Sequence, residues 1–162
     1  MKIIVFADSH MDKTAMSRVL EKEKPGLFIH LGDHITDGVK LQKEWPDIPG
    51  EMVAGNTDFA FGRPLEKVIE PEGVKIFISH GHHYAVHNDL SAIYAKGSSL
   101  GVDMVLFGHT HCPYREEKDG IWLMNPGSIR RCDRNPLGSS YGIIHLKDGE
   151  ITCDIRKIQI GR

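Results

Sequence analysis

Short apolar runs recur along this chain, and most break abruptly into Asp, Asn, His or Gly. Lys2–Ala7, "KIIVFA", reads as a buried strand, and Leu27–Leu31, "LFIHL", as a second. Between them Asp12 caps a helix predicted over Thr14–Lys24, with Ala15, Val19 and Leu20 facing inward and Pro25-Gly26 ending it. Strand, helix and strand in that order predict a parallel pair. A second helix is expected over Gly38–Trp45, stopping before Pro46, and a short strand over Glu51–Val53.

The pattern then turns to hairpins. "LEKVIEPEGVKIFISHG" is two strand-like runs around Pro71-Glu72-Gly73. A helix over Leu90–Leu100, ended by Gly101, leads back to the strand "DMVLF", Asp103–Phe107. "REEKDGIWLMN" and "YGIIHLKDGEITCDIRKI" each carry Asp-Gly between strand patterns, the signature of a tight hairpin. No repeat or low-complexity linker divides the chain, so residues 1–162 are expected to form a single domain. Its class is α/β, with two mixed sheets packed face to face as a sandwich and helices outside.

Composition narrows the partners. The chain has 162 residues, 40% apolar and 26% charged, which is enough to build a core. Its formal charge of −2 disfavours a nucleic-acid polymer held by bulk electrostatics. The three cysteines, Cys112, Cys132 and Cys153, are odd in number and show no CxxC spacing, so neither a disulfide framework nor a zinc ribbon is indicated. No cleavable leader and no membrane-length apolar stretch are seen, and a cytoplasmic location is expected.

Polar residues gather at the carboxyl ends of the runs. "IIVFADSH" ends in Asp8-Ser9-His10, "LFIHLGD" in Gly32-Asp33 and "EMVAGNTD" in Gly55-Asn56. "KIFISHGH" ends in Ser79-His80, and "MVLFGHTH" in Gly108-His109-Thr110-His111. Ligand sites in α/β sheets lie beyond the carboxyl ends of strands, so these five turns can converge on one crevice. Glycine ahead of the polar residue lets the backbone turn sharply or approach closely. Singly, each has an ordinary explanation: Asp33 can cap a helix, Asn56 can occupy a left-handed turn, and His80 or His109 can be a satisfied core residue. Together, five ends able to bind metal point to a metal centre.

The ordered blocks "DSH", "GD", "GN", "HG" and "GHTH", followed by "NPGS" at Asn125–Ser128, resemble the calcineurin-like metallophosphoesterases, above all their small single-domain prokaryotic phosphodiesterases. The resemblance runs from Lys2 to the C-terminus and implies a four-layer α/β/β/α fold with a dinuclear centre. It implies that Asp8, His10 and His111 hold one ion, that Asn56, His80 and His109 hold the other, and that Asp33 bridges both. An extended pair two residues apart would point His109 and His111 the same way, with Cα atoms about 6.6 Å apart. Two ions about 3.5–4 Å apart could then take one imidazole each.

Two divalent ions against two carboxylates leave positive charge that attracts a phosphate ester. Water between such ions becomes a hydroxide nucleophile. The activity expected is hydrolysis of small phosphate diesters by that bridging hydroxide. Imidazole and oxygen donors leave Mn²⁺, Ni²⁺, Fe²⁺, Co²⁺ and Zn²⁺ open and disfavour Ca²⁺. The resemblance tilts the choice to Mn²⁺ or Ni²⁺.

One departure from the family pattern bears on substrate. Many relatives place histidine directly after the "GN" asparagine, where it assists the leaving group; here that residue is Thr57. Threonine is no acid near neutral pH, so diesters or good leaving groups should be preferred over alkyl monoesters. His82 is the candidate to replace the missing acid, and Asp33 and Asn56 complete the expected catalytic set. Asn56, Thr57, His82 and Ser128 are the expected substrate contacts. Asp58 could orient a ligand histidine or cap a turn.

His30 is read as packing behind the site, and His34, His83, His87 and His145 as solvated or structural. "RRCDR", Arg130–Arg134, could meet a substrate phosphate or be ordinary solvated surface, and the surface reading is favoured. The substrate walls are expected from Phe59–Pro64, Tyr84–Asp89 and Cys132–Ser139. Other readings are a scaffold such as the retromer subunit of this fold, which would be expected to have eroded ligands, a nuclease, or a phosphomonoesterase. Homo-oligomerisation is an expectation drawn from the family alone.

Overall fold

The period-two runs sort their side chains onto two faces of two sheets. In a computed structural model, which describes residues 1–59 and 62–159, the first sheet has the order β10-β9-β1-β2-β3. Its strands are β1 (Lys2–Phe6), β2 (Leu27–His30), β3 (Gly50–Met52), β9 (Ser140–Lys147) and β10 (Glu150–Lys157). The second sheet has the order β4-β5-β6-β8-β7. It comprises β4 (Glu66–Ile69), β5 (Ile76–Ser79), β6 (Met104–Leu106), β7 (Pro113–Lys118) and β8 (Ile121–Pro126). Both sheets are mixed. The pairs β1–β2, β2–β3, β5–β6 and β6–β8 are parallel, while β1–β9, β9–β10, β4–β5 and β7–β8 are antiparallel.

Three helices cover the outer faces: α1 (Lys13–Glu23), α2 (Ile35–Glu44) and α3 (Ser91–Leu100). Alternation along β1 decides the layering. Ile3 and Val5 meet Ile76, Ile78, Met104 and Leu106 of the facing sheet, whereas Ile4 and Phe6 meet Met16, Val19, Leu20 and Leu41 of the helices. On the other side Phe77, Val105 and Leu123 pack on Ile93 of α3. The result is the expected α/β/β/α sandwich, its central core between the sheets. No helix among the described residues is long and apolar enough to cross a membrane.

The two Asp-Gly hairpins form as the sequence predicts. Asp119 and Gly120, like Asp148 and Gly149, all have positive φ, the pattern of a two-residue turn matched to strand twist. Asp12 caps α1 by accepting from Ala15 N–H at 3.1 Å. The start of α2 differs from the predicted Gly38 by three residues. Its first N–H, at Ile35, donates to Asp58 Oδ1 at 2.9 Å, a cap supplied 23 residues downstream and so invisible to a local reading.

Candidate metal centre

The five strand ends do converge. Past β1 and β2 the ladder continues as Asp8 N–H donates to Gly32 O at 3.1 Å, and past β5 and β6 as Gly108 N–H donates to His80 O at 3.0 Å. The sheets meet at this edge, where the His80 ring of the second sheet donates Nδ1–H to Leu31 O of the first at 2.8 Å. Glycine is needed here for close approach. A Cβ on Gly55 would lie 2.2 Å from Asp33 Oδ1, and one on Gly108 would lie 2.9 Å from the Ala7 Cβ and 3.1 Å from Asp8 Oδ2.

Asp8, His10, Asp33 and His111 present ligand atoms all within 4.8 Å of one another. Beside this group, His80 Nε2 lies 3.0 Å from Asn56 Oδ1, 3.1 Å from His109 Nδ1 and 3.4 Å from Asp33 Oδ1. His10 Nε2 lies 3.5 Å from His111 Nε2. All seven expected residues therefore face one centre in two neighbouring groups, with Asp33 in contact with both. His109 and His111 part company, one to each group. The reason differs from the expected one: both have left-handed backbones, φ 68° and 61°, so the segment is bent and not extended. Asp8, His10 and Asp33 also have positive φ, at 53°, 42° and 58°. Strain of this kind clusters where surrounding structure fixes a functional geometry.

The donor chemistry fits a cation. With its Nδ1–H committed to Leu31, His80 turns a bare Nε2 lone pair toward the Asn56 oxygen and a second imidazole nitrogen. Asp8 Oδ2 accepts from His109 N–H at 3.1 Å, while the buried Asp8 Oδ1 has ring nitrogens beside it, His111 Nε2 at 3.3 Å and His80 Nε2 at 3.8 Å. Lone pairs facing one another beside a buried carboxylate are unfavourable without positive charge between them.

Charge on the side chains is arranged accordingly. The Asp8 carboxylate, 3.3 Å from His111 Nε2, raises that imidazole to about 9, with Cys132 contributing from its other contact. Burial lowers His10 and His109 despite the nearby carboxylates. Burial would raise Asp33, but His80 and the Thr57 N–H, 3.1 Å from its Oδ1, outweigh this and hold it low.

The remaining candidates fall at several depths. His82 packs at 5.4 Å from His80 and 6.1 Å from His109 between ring centroids, with a buried Nδ1 that has no partner. Burial, then His83 and His80, lowers it to about 4, which weakens its case as the replacement acid. Asn56 and Thr57 are exposed, as substrate contacts require. Ser128 is 1% exposed, and its hydroxyl donates to Asp8 O at 3.0 Å, so it holds the turn of a metal-ligand candidate in place.

Asp58 accepts from Ile35 and Gly55 N–H and thus braces turns. His30 is fully buried and lowered to about 4 by burial, accepting from Gly32 N–H and contacting Ser9 behind the site. Of the expected walls, residues 60 and 61 lie outside the described residues.

Several residues stand closer to the site than the sequence alone indicates. His34, beside Asp33 in "GDH", lies 5.2 Å from His10, and the exposed His87 lies 4.5 Å from His109. Asn125 of "NPGS" buttresses the histidine turn, donating to Gly108 O at 2.8 Å and Thr110 Oγ1 at 3.0 Å. Arg130 and Arg131 are solvated, as read, but they also line a cavity of about 300 Å³ with His10 and His111. Adjacency in "GDH" is the only sequence signal for His34, whereas His87 falls within the expected wall Tyr84–Asp89, Asn125 within "NPGS" and both arginines within "RRCDR".

A family model for the calcineurin-like phosphoesterase superfamily domain matches residues 1–149. The chain is 30% identical over 155 residues to the probable metallophosphoesterase YsnB of Bacillus subtilis (strain 168), covering 94% of this chain and 88% of that protein. It is 26% identical over 169 residues to the phosphodiesterase YfcE of Escherichia coli (strain K12), covering 89% and 87%. Among solved structures, a predicted phosphoesterase from Streptococcus pneumoniae TIGR4 matches with a TM-score of 0.82 at 26% identity, over 99% of this chain and 93% of that one. Vps29 from Entamoeba histolytica, complexed with zinc, shares the fold at TM-score 0.75 and 21% identity, over 98% and 100% of the two chains.

Proposed function

The chain belongs to the calcineurin-like phosphoesterase superfamily, and on that premise we propose that it is a dinuclear-metal phosphodiesterase acting on small phosphate diesters. One observation carries this reading: His109 and His111, two residues apart, part to join separate donor groups that both touch Asp33. Asp8, His10 and His111 would hold one ion, Asn56, His80 and His109 the other, and Asp33 both. When bound, divalent ions supply Lewis-acid charge to a phosphoryl group and make water acidic enough to attack it.

The chain's own residues hold that arrangement. Leu31 O fixes the tautomer of His80, Thr57 N–H orients Asp33, and His109 N–H orients Asp8. Asn56 and Thr57 stand exposed at the mouth, where an ester oxygen can be met. With threonine at that position and His82 held neutral near pH 7, no strong acid serves a poor leaving group, which favours diesters with good ones. Donors of imidazole and oxygen admit Mn²⁺, Ni²⁺, Fe²⁺, Co²⁺ or Zn²⁺, and the family likeness favours Mn²⁺. The two sheets share one core, so we take the chain as a single domain. Its three free thiols suit the cytoplasm.

The test is reconstitution with each ion, followed by assay of bis(p-nitrophenyl) phosphate against alkyl monoesters, with metal content measured on the same sample. Turnover of the diester is expected, and Asp33→Asn should reduce it by more than about a hundredfold, the range that loss of a mere ligand-supporting partner can reach. A folded protein that takes up no ion and cleaves no diester refutes the reading.

A further inference from the structure

The turn after β8 gives the site a second source of positive charge. Arg130 and Arg131 line the cavity of about 300 Å³ onto which His10 and His111 open. Arg131 and Cys132 also line a second cavity, of about 390 Å³, that extends to Lys157. Among the described residues none of these three cations is in an ion pair. Asp133 is the one acidic residue on either wall.

The turn is also built to keep its shape. Cys132 N–H donates to Gly138 O at 2.9 Å, and Asn135, 3% exposed, donates through Nδ2 to Ser140 Oγ at 2.7 Å. Asn135 Oδ1 accepts from Leu137 N–H at 2.9 Å, and the Cys112 thiol reaches Arg134 O at 3.1 Å. Arginines carried on a braced turn lose less freedom when they grip a ligand.

A diester presents one negative charge, which the ions of the centre already meet. Unpaired guanidiniums beside them suit a charge that the substrate carries elsewhere, and planar guanidinium matches phosphate oxygens in particular. We propose that Arg130 and Arg131, with Lys157 farther out, form a subsite for a second phosphate group, so that the preferred substrate is a small diester bearing a terminal phosphate. This rests on the phosphodiesterase reading and names its substrate class. The overall charge of −2 and the short run of cations suit a dinucleotide-sized ligand better than a polymer.

The Mn²⁺-loaded protein is assayed with the dinucleotide ApA, with its 5′-phosphorylated form pApA, and with bis(p-nitrophenyl) phosphate. The same bond is cleaved in both dinucleotides, so their ratio within one protein cancels general effects on the site. Wild type should favour pApA in kcat/KM by about tenfold, chiefly through KM, since charged hydrogen bonds of exposed arginines are partly screened. In R130Q/R131Q, checked for unchanged Tm, the ratio should fall to about one. Equal ratios in the two proteins, or no preference in wild type, overturn the subsite while turnover of bis(p-nitrophenyl) phosphate keeps the phosphodiesterase reading.

Calorimetric binding of adenosine 3′,5′-bisphosphate against adenosine 5′-monophosphate separates the opposite case. Tighter binding of the bisphosphate in wild type alone, with no diester turned over, leaves the subsite standing and removes the reading. A preference that grows with every nucleotide added to the substrate overturns the small-ligand form in favour of a polymer.

Discussion

At the scale of single residues, the candidate ligands were legible because each is a metal-capable side chain at a strand's end. Their supporting partners were not. Nothing in "GHTH" says that Asp8 will hold His111 protonated, yet that contact would govern how the candidate site takes up metal. His111 is raised to about 9, so at pH 7.5 an incoming cation must displace its proton. Affinity for the first ion should rise with pH until about 9. Calorimetry at pH 7.5 in two buffers of different ionisation enthalpy should show about one proton released, and His111→Gln should abolish the release. Identical enthalpies in the two buffers would rule this out. The sign for stability is the reverse. The metal-free fold has the full benefit of the His111–Asp8 pair below pH 6.5 and loses it as pH climbs through about 9.

At the scale of elements, hairpins and caps written in adjacent residues were read correctly, and those closed by distant ones were not. Asp119-Gly120 and Asp148-Gly149 fix their turns locally. The start of α2 instead depends on Asp58, which accepts from Ile35 and Gly55 N–H and so ties the helix to the turn bearing Asn56. Asp58→Ala should cost about 1–2 kcal/mol, the range for losing a helix cap, and fray the first turn of α2. Urea unfolding of the metal-free protein measures this, and an unchanged midpoint would show that the cap is unimportant. The bent "GHTH" segment teaches the same lesson. Spacing alone predicts an extended pair, whereas Asn125, arriving from β8, braces a left-handed turn.

At the scale of the whole molecule, the centre joins the two sheets. Asp8, Asp33 and Asn56 follow strands of one sheet, and His80, His109 and His111 follow strands of the other. A cation held between them should act as a clasp, adding about 2.7 kcal/mol at a free-ion concentration a hundred times its dissociation constant. Mn²⁺ should raise Tm and EDTA should reverse the gain; a Tm indifferent to both would mean that no ion spans the sheets. By itself the sequence determined the strand alternation, the sandwich of two sheets and the five polar strand ends, because period-two burial and turn chemistry are local properties. Tertiary structure alone decided that a left-handed bend parts His109 from His111, that Ser128 faces a carbonyl, and that Arg130 and Arg131 border the site. Those facts depend on where segments up to 120 residues apart come to rest, and no local pattern encodes that distance.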